Sequence, residues 1–150
     1  MTAELMVREP DVIVLAVRVL TAALMGAALG LEREWRGKEA GLRTNTLIAI
    51  GAALFTVMSQ MFGGDRGRLA AQVVTGVGFL GAGAIMRTGA SVQGLTTAAM
   101  IWVNAAIGVA AGAGHLRLAA LCTGITLAAM FALSPLDRVL ERRRPNPPAH

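Results

Sequence analysis

Seven charged side chains fall within the eighteen residues GLEREWRGKEAGLRTNTL, Gly30 to Leu47, between two runs that are almost wholly apolar. Glu32, Glu34 and Glu39 are the acids; Arg33, Arg36, Lys38 and Arg43 are the bases. Carboxylates interleaved with guanidinium groups are partly neutralised by them. Such a set suits ion pairs at helix ends, whereas magnesium wants oxygen ligands, chiefly carboxylates and retained waters. Trp35 adds a ring of the kind that anchors at a membrane interface. A plain connector needs only a few residues and some positive charge. The added acids favour a working surface that fixes the first two helices and presents a docking face.

The remaining candidates are scattered through apolar sequence. Arg18 stands about six residues into the first apolar run, roughly 9 Å along a helix. At that depth a charge either faces the bundle interior or water, or snorkels outward, here toward Asp11; the sequence leaves both open. Gln72, Thr75, Thr97 and Asn104 are the other buried-type polar groups, and Thr97, Asn104, Gly108 and Gly112 share one helical face by spacing. Interhelical hydrogen bonding and solute contact both remain readings of these amides. GVGFLGAG, Gly76 to Gly83, matches G-x-G-x-x-G, but a dinucleotide site needs a strand before it and an acid about twenty residues on. No acid occurs between Asp65 and Asp137. These glycines, with Gly26-x-x-x-Gly30 and Gly108-x-x-x-Gly112, are instead expected to let backbones approach closely. His115 and His150 are isolated, and Cys122 is the sole cysteine. It suits a small core filler. No enzyme, cofactor or metal site is expected.

The elements that must hold these groups are membrane helices. The chain has 150 residues, 55% hydrophobic and 15% charged, with 18 glycines and no tyrosine. A soluble domain carries about a quarter charged residues. A span needs about 20 mostly apolar residues, and five segments are expected to cross: Val12 to Leu31, Thr44 to Phe62, Leu69 to Met86, Leu95 to Gly112 and Leu116 to Ser134. The fourth, half alanine and glycine, is the weakest as a lone span, and Pro135 is expected to stop the fifth. The first run lacks the basic flank of a signal peptide. The fold class is therefore an all-α integral membrane protein.

The loop charges predict orientation. Nine bases (Arg33, Arg36, Lys38, Arg43, Arg87, Arg138, Arg142, Arg143 and Arg144) fall on one side and four (Arg8, Arg66, Arg68 and Arg117) on the other. The first loop and the C-terminus are thus expected in the cytoplasm and the N-terminus outside. Residues 1–134 form the membrane domain, and the basic, proline-rich 135–150 are expected to be a disordered tail. The net charge of +5 suits anionic lipid headgroups; without interleaved aromatic residues it does not suggest nucleic acid.

Two stretches, GLEREWRGKEAGLRTNTLIAIGAALFTVMS and RLAAQVVTGVGFLGAGAIMRTGASVQGLTTAAMIWVNAAIGVAAGAG, carry a resemblance. Their E-R-x-x-R, A-G-L-R-T, G-F-L-G-A-G and G-L-T-T-A-A motifs resemble the membrane domain of the MgtC/SapB family of bacterial inner-membrane proteins. The resemblance runs from about Arg18 to Gly114. It implies five inner-membrane helices and a role in growth under magnesium limitation. In pathogens it implies survival inside macrophages and restraint of the ATP synthase, so that the partner would be that enzyme or another membrane complex. The motif positions carried over are Glu32, Arg33, Arg36, Ala40, Gly41, Leu42, Arg43 and Thr44. Thr88 and Gln93 depart from it, where members often carry an acid and a base. Many members also continue into a soluble domain, which is not expected after His150.

The expected contact residues are Glu32, Arg33, Arg36, Arg43, Thr44 and Asn45 around the first loop. Arg87, Thr96 and Thr97 around the third loop join them, with Arg18, Gln72 and Asn104 within the spans. The leading reading is a regulator in magnesium and energy homeostasis acting by contact. A small ion or solute transporter with a polar path past Arg18, Gln72 and Asn104 is the alternative. A scaffold that self-associates through its glycine faces is the third.

Overall fold

A computed structural model of the chain describes residues 12–61, 66–89 and 91–141. Within them lie five helices: α1 (Val12–Trp35), α2 (Leu42–Met61), α3 (Arg66–Gly83), α4 (Leu95–Gly112) and α5 (Leu116–Glu141). Between α3 and α4 sits an antiparallel hairpin, β1 (Met86–Thr88) and β2 (Ser91–Gln93), with Met86 opposite Gln93 and Thr88 opposite Ser91. α1, α2, α4 and the Leu116–Ser134 part of α5 are each long and apolar enough to cross a membrane. The protein is a multi-pass, all-α membrane protein with one short hairpin.

Small residues set how closely the helices meet. A Cβ added at Gly26 would lie 2.6 Å from the Asn45 carbonyl oxygen on α2. At Gly108 and Gly112 it would lie 2.6 Å from the Ala49 and Ala53 carbonyl oxygens. Only glycine permits backbones that close, and in lipid this packing replaces the hydrophobic drive as the source of helix association. The core that results is built largely of alanine: Ala22, Ala49, Ala53, Ala111 and Ala119 around Leu29, Met100 and Ile107. α4 is the central helix, with 50% of its apolar window buried against 33% or less for the other three spans. The alanine and glycine content that makes α4 a weak span by hydropathy is what lets it take the centre.

Three expectations change. The third apolar segment does not reach Met86: α3 ends at Gly83, so from Leu69 its apolar part is about 22 Å long against a hydrocarbon layer of about 30 Å. Gly81 and Gly83 weaken the helix end, at about 1 kcal/mol each relative to alanine. Gly94, at φ 85°, then packs its backbone against Ala84, where a Cβ would collide with the Ala84 carbonyl, and this closes the hairpin. Second, α5 continues past Pro135 to Glu141. A proline removes one backbone donor, and in membrane helices the freed groups find other partners. The expected disorder of the last nine residues lies outside the described part of the chain. Third, Gly76 and Gly78 make no close approach, since an added Cβ at either meets nothing within 4 Å. Residues two apart on a helix face in different directions, and it is Val77 between them that packs into the core with Ala52, Ile101 and Ala105.

Candidate functional site

The charged loop and the ends of four helices assemble one polar cluster. Glu32 and Arg33, each 4% exposed, are on the last turn of α1 and point inward in different directions. Glu32 forms an ion pair with Arg36 one turn on, although neither of its oxygens accepts a well-formed hydrogen bond. Arg36 also donates to the Ser134 hydroxyl on α5 and lies 4.9 Å from the centroid of the Phe131 ring, within cation–π range. Arg33 donates to the Thr97 hydroxyl on α4 at 2.7 Å and to the Glu39 carbonyl at 3.3 Å. Glu34 reaches across the loop, its carboxylate accepting the Leu42 amide at 2.9 Å. A carboxylate there satisfies an orphan donor of α2 and complements the helix dipole.

Asn45 locks the loop from below. Its side-chain amide donates to the Ala40 and Gly41 carbonyls, holding Ala40 at φ 53°, a left-handed conformation that costs a non-glycine residue roughly 1–2 kcal/mol. Asn104 on α4 donates in turn to the Asn45 backbone carbonyl at 2.6 Å and to its side-chain oxygen at 3.1 Å. Both asparagines are fully buried. Of the ion pairs expected at the helix ends, the described residues show one, Glu32 with Arg36; hydrogen bonds extend the cluster from α1 and α2 to α4 and α5.

At the opposite end, Arg18 takes the inward of its two open orientations. It donates to Gln60 Oε1 at 2.9 Å and to the Gly112 carbonyl at 3.3 Å. Gly112 is the last residue of α4, so the guanidinium caps a helix C-terminus and meets the negative end of its dipole. Asp11 lies outside the described residues. Gln72 belongs to neither cluster: it is exposed and lines a groove between α2 and α3.

The remaining site candidates separate by exposure. Arg33, Asn45, Thr97 and Asn104 are interior, whereas Arg43, Thr44, Arg87 and Thr96 are exposed. With Trp35, 77% exposed, and Lys38 they make a basic, aromatic rim around the buried cluster. Among the described residues, Arg87 donates to the Gly89 carbonyl beside it. Ser134, Phe131 and Gln60 were not among the sequence candidates. Nothing in their local sequence marks them, because each matters as the partner of a distant arginine, Arg36 just past α1 or Arg18 within it. Among the described residues, no group of three or more His, Cys, Asp or Glu side chains could hold a metal ion.

The model of the MgtC family matches residues 19–139. The chain belongs to the MgtC family. Proteins named MgtC from Brucella abortus (strain 2308) and Salmonella typhimurium (strain 14028s) are 51% and 52% identical to it, over 122 and 116 residues respectively. Those matches cover 80% and 77% of this chain but 51% and 50% of the relatives. The chain therefore spans about half the length of the MgtC proteins it matches. No solved structure matches it. The match from 19 to 139 takes in the loop cluster, the hairpin and the Asn45–Asn104 pair.

Proposed function

We propose that the protein is an inner-membrane regulator in magnesium and energy homeostasis that acts by contact with another membrane protein through the rim around its first loop. The observation that carries this reading is the separation of Arg18, Gln72 and Asn104. Arg18 caps α4 at one end, Asn104 is sealed against Asn45 in the core, and Gln72 faces an outer groove. A transported solute needs polar groups along one path, and these three share none. The buried Arg33, Asn45, Thr97 and Asn104 tie helices to one another, which leaves Trp35, Lys38, Arg43, Thr44, Arg87 and Thr96 as the groups available to a partner. Family membership supports the link to magnesium through the name MgtC. The rim faces the cytoplasm in this reading, in keeping with the excess of basic residues on that side. The protein complex whose activity it modulates would be an energy-converting one such as the ATP synthase, with virulence as the consequence in a pathogen.

Two measurements test it. Sealed proteoliposomes holding the protein should show no magnesium flux above empty liposomes; flux that changes in Arg18→Gln would restore the transporter reading. In a strain dependent on the protein for growth at low magnesium, Lys38→Glu with Arg43→Glu should fold and insert normally yet fail to support growth. Full complementation by that double variant would remove the rim from the mechanism.

A further inference from the structure

A groove runs between α2 and α3. It encloses about 550 Å³, lined by Ile48, Gly51, Phe55, Gln72, Gly76 and Leu80 among others. That volume lies within the range of small-molecule sites, roughly 300–1,000 Å³. Glycine keeps it open from both sides: a Cβ added at Gly51 or Gly76 meets nothing within 4 Å. The glycines of α1 and α4 do the opposite and bring backbones into contact.

The lining of the groove is apolar except at Gln72, and Arg68 is not itself part of it. Arg68 precedes Gln72 by four residues, so the two are neighbours on the same face of α3. Arg68 is exposed. Neither α2 nor α3 carries an aspartate or glutamate; Asp65, three residues before Arg68, lies outside the described residues. A transmembrane helix about 10 Å across and 30 Å long occupies roughly 2,400 Å³ as a cylinder, far more than this slot. A single hydrocarbon chain is slender enough to enter it.

We propose that the α2–α3 groove is a specific binding site for an anionic phospholipid, with one acyl chain laid along Gly51 and Gly76 and the phosphate held by Arg68 and Gln72. A guanidinium beside an amide supplies charge-assisted donors suited to phosphate oxygens, and basic pockets between helices are a known mode of lipid headgroup recognition. The site lies on the outer side of α3, apart from the rim of the first loop, and is independent of the reading given above.

Native mass spectrometry of the full chain, released from detergent with phosphatidylglycerol or phosphatidylcholine, tests the proposal. The wild type should retain one phosphatidylglycerol per chain in preference to phosphatidylcholine. Gly76→Phe, which fills the slot where no atom stands in the way, should abolish retention, while Gly124→Phe, at an equally open glycine on α5, should not. Arg68→Gln should weaken phosphatidylglycerol retention about tenfold, as expected for one charged hydrogen bond, and remove the preference between the two lipids. Circular dichroism establishes that each variant is helical; should Gly76→Phe not fold, Gly51→Leu gives the same test from α2. Retention unchanged by either groove-filling variant overturns the proposal. So does a lipid-free dimer that Gly76→Phe converts to monomer, which would make a second copy the occupant.

Discussion

Arg33 is the residue whose placement most changes how the site is understood. A guanidinium 4% exposed at a membrane helix end depends on its acceptors, and its Nε has no hydrogen-bond partner. Among the described residues, Thr97 supplies its one side-chain acceptor. Thr97→Val keeps the shape and removes that acceptor, so it should lower stability by about 1–3 kcal/mol, the range for orphaning a buried polar group, read as a fall in the thermal unfolding midpoint in detergent. Arg43→Ala, at an exposed residue four positions past Glu39, should stay within about 0.5 kcal/mol of the wild type. A larger effect from Arg43 than from Thr97 would mean that the interior network is not what holds this end. Arg33 and Arg43 look alike in sequence as basic members of one loop. Burial separates them, because a side chain on the inner face of α1 has no choice but to find acceptors on α4.

At the scale of elements, the glycines divide into two populations that sequence motifs do not distinguish. Gly108→Ala places a methyl 2.6 Å from the Ala49 carbonyl oxygen, a backbone atom that cannot step aside. It should force α2 and α4 apart and lower stability by about 1–3 kcal/mol, as overpacking does. Gly76→Ala meets nothing, and should gain up to about 1 kcal/mol from helix propensity. Thermal melts of the two variants in the same detergent check the contrast, and destabilisation of equal size would contradict it. The G-x-x-x-G spacings of α1 and α4 were readable as packing faces because their neighbours along the face are also small or polar. In the denser run Gly76 to Gly83, read the same way, Gly81 does pack against Ala98 of α4, whereas Gly76, Gly78 and Gly83 meet nothing within 4 Å and Gly76 lines the groove.

For the whole molecule, the contacts at the two ends have different chemistry. The loop end is held by charged side chains of α1 and the first loop that meet Thr97 of α4 and Ser134 of α5, and the opposite end by Arg18 bridging α2 and α4. If the loop end faces the cytoplasm, a cysteine placed at Lys38 in a Cys122→Ser background should react with a membrane-impermeant maleimide only after the cell is opened. A cysteine at Arg117, beside the α4–α5 turn, should react in intact cells. The reverse pattern would invert the molecule and place the rim outside. Both test positions are exposed, so accessibility reports side and not burial.

Composition and hydropathy alone determined the class of the protein and the approximate bounds of α1, α2, α4 and the spanning part of α5, because hydrocarbon demands runs of about 20 apolar residues wherever a helix crosses. The spacing of Thr97, Asn104, Gly108 and Gly112 likewise determined their common buried face, since helical periodicity is local. The charged stretch was legible as a network for the same reason: Glu32 and Arg36 are one helical turn apart. What only the tertiary structure decided are the partners across long sequence separations. Arg36 with Ser134, Arg33 with Thr97, Asn45 with Asn104 and Arg18 with Gln60 depend on which helices are neighbours. So does the fate of each glycine, close contact at Gly108 and an open groove at Gly76. Helix adjacency follows from the summed fit of many small side chains, and no single stretch of the chain encodes it.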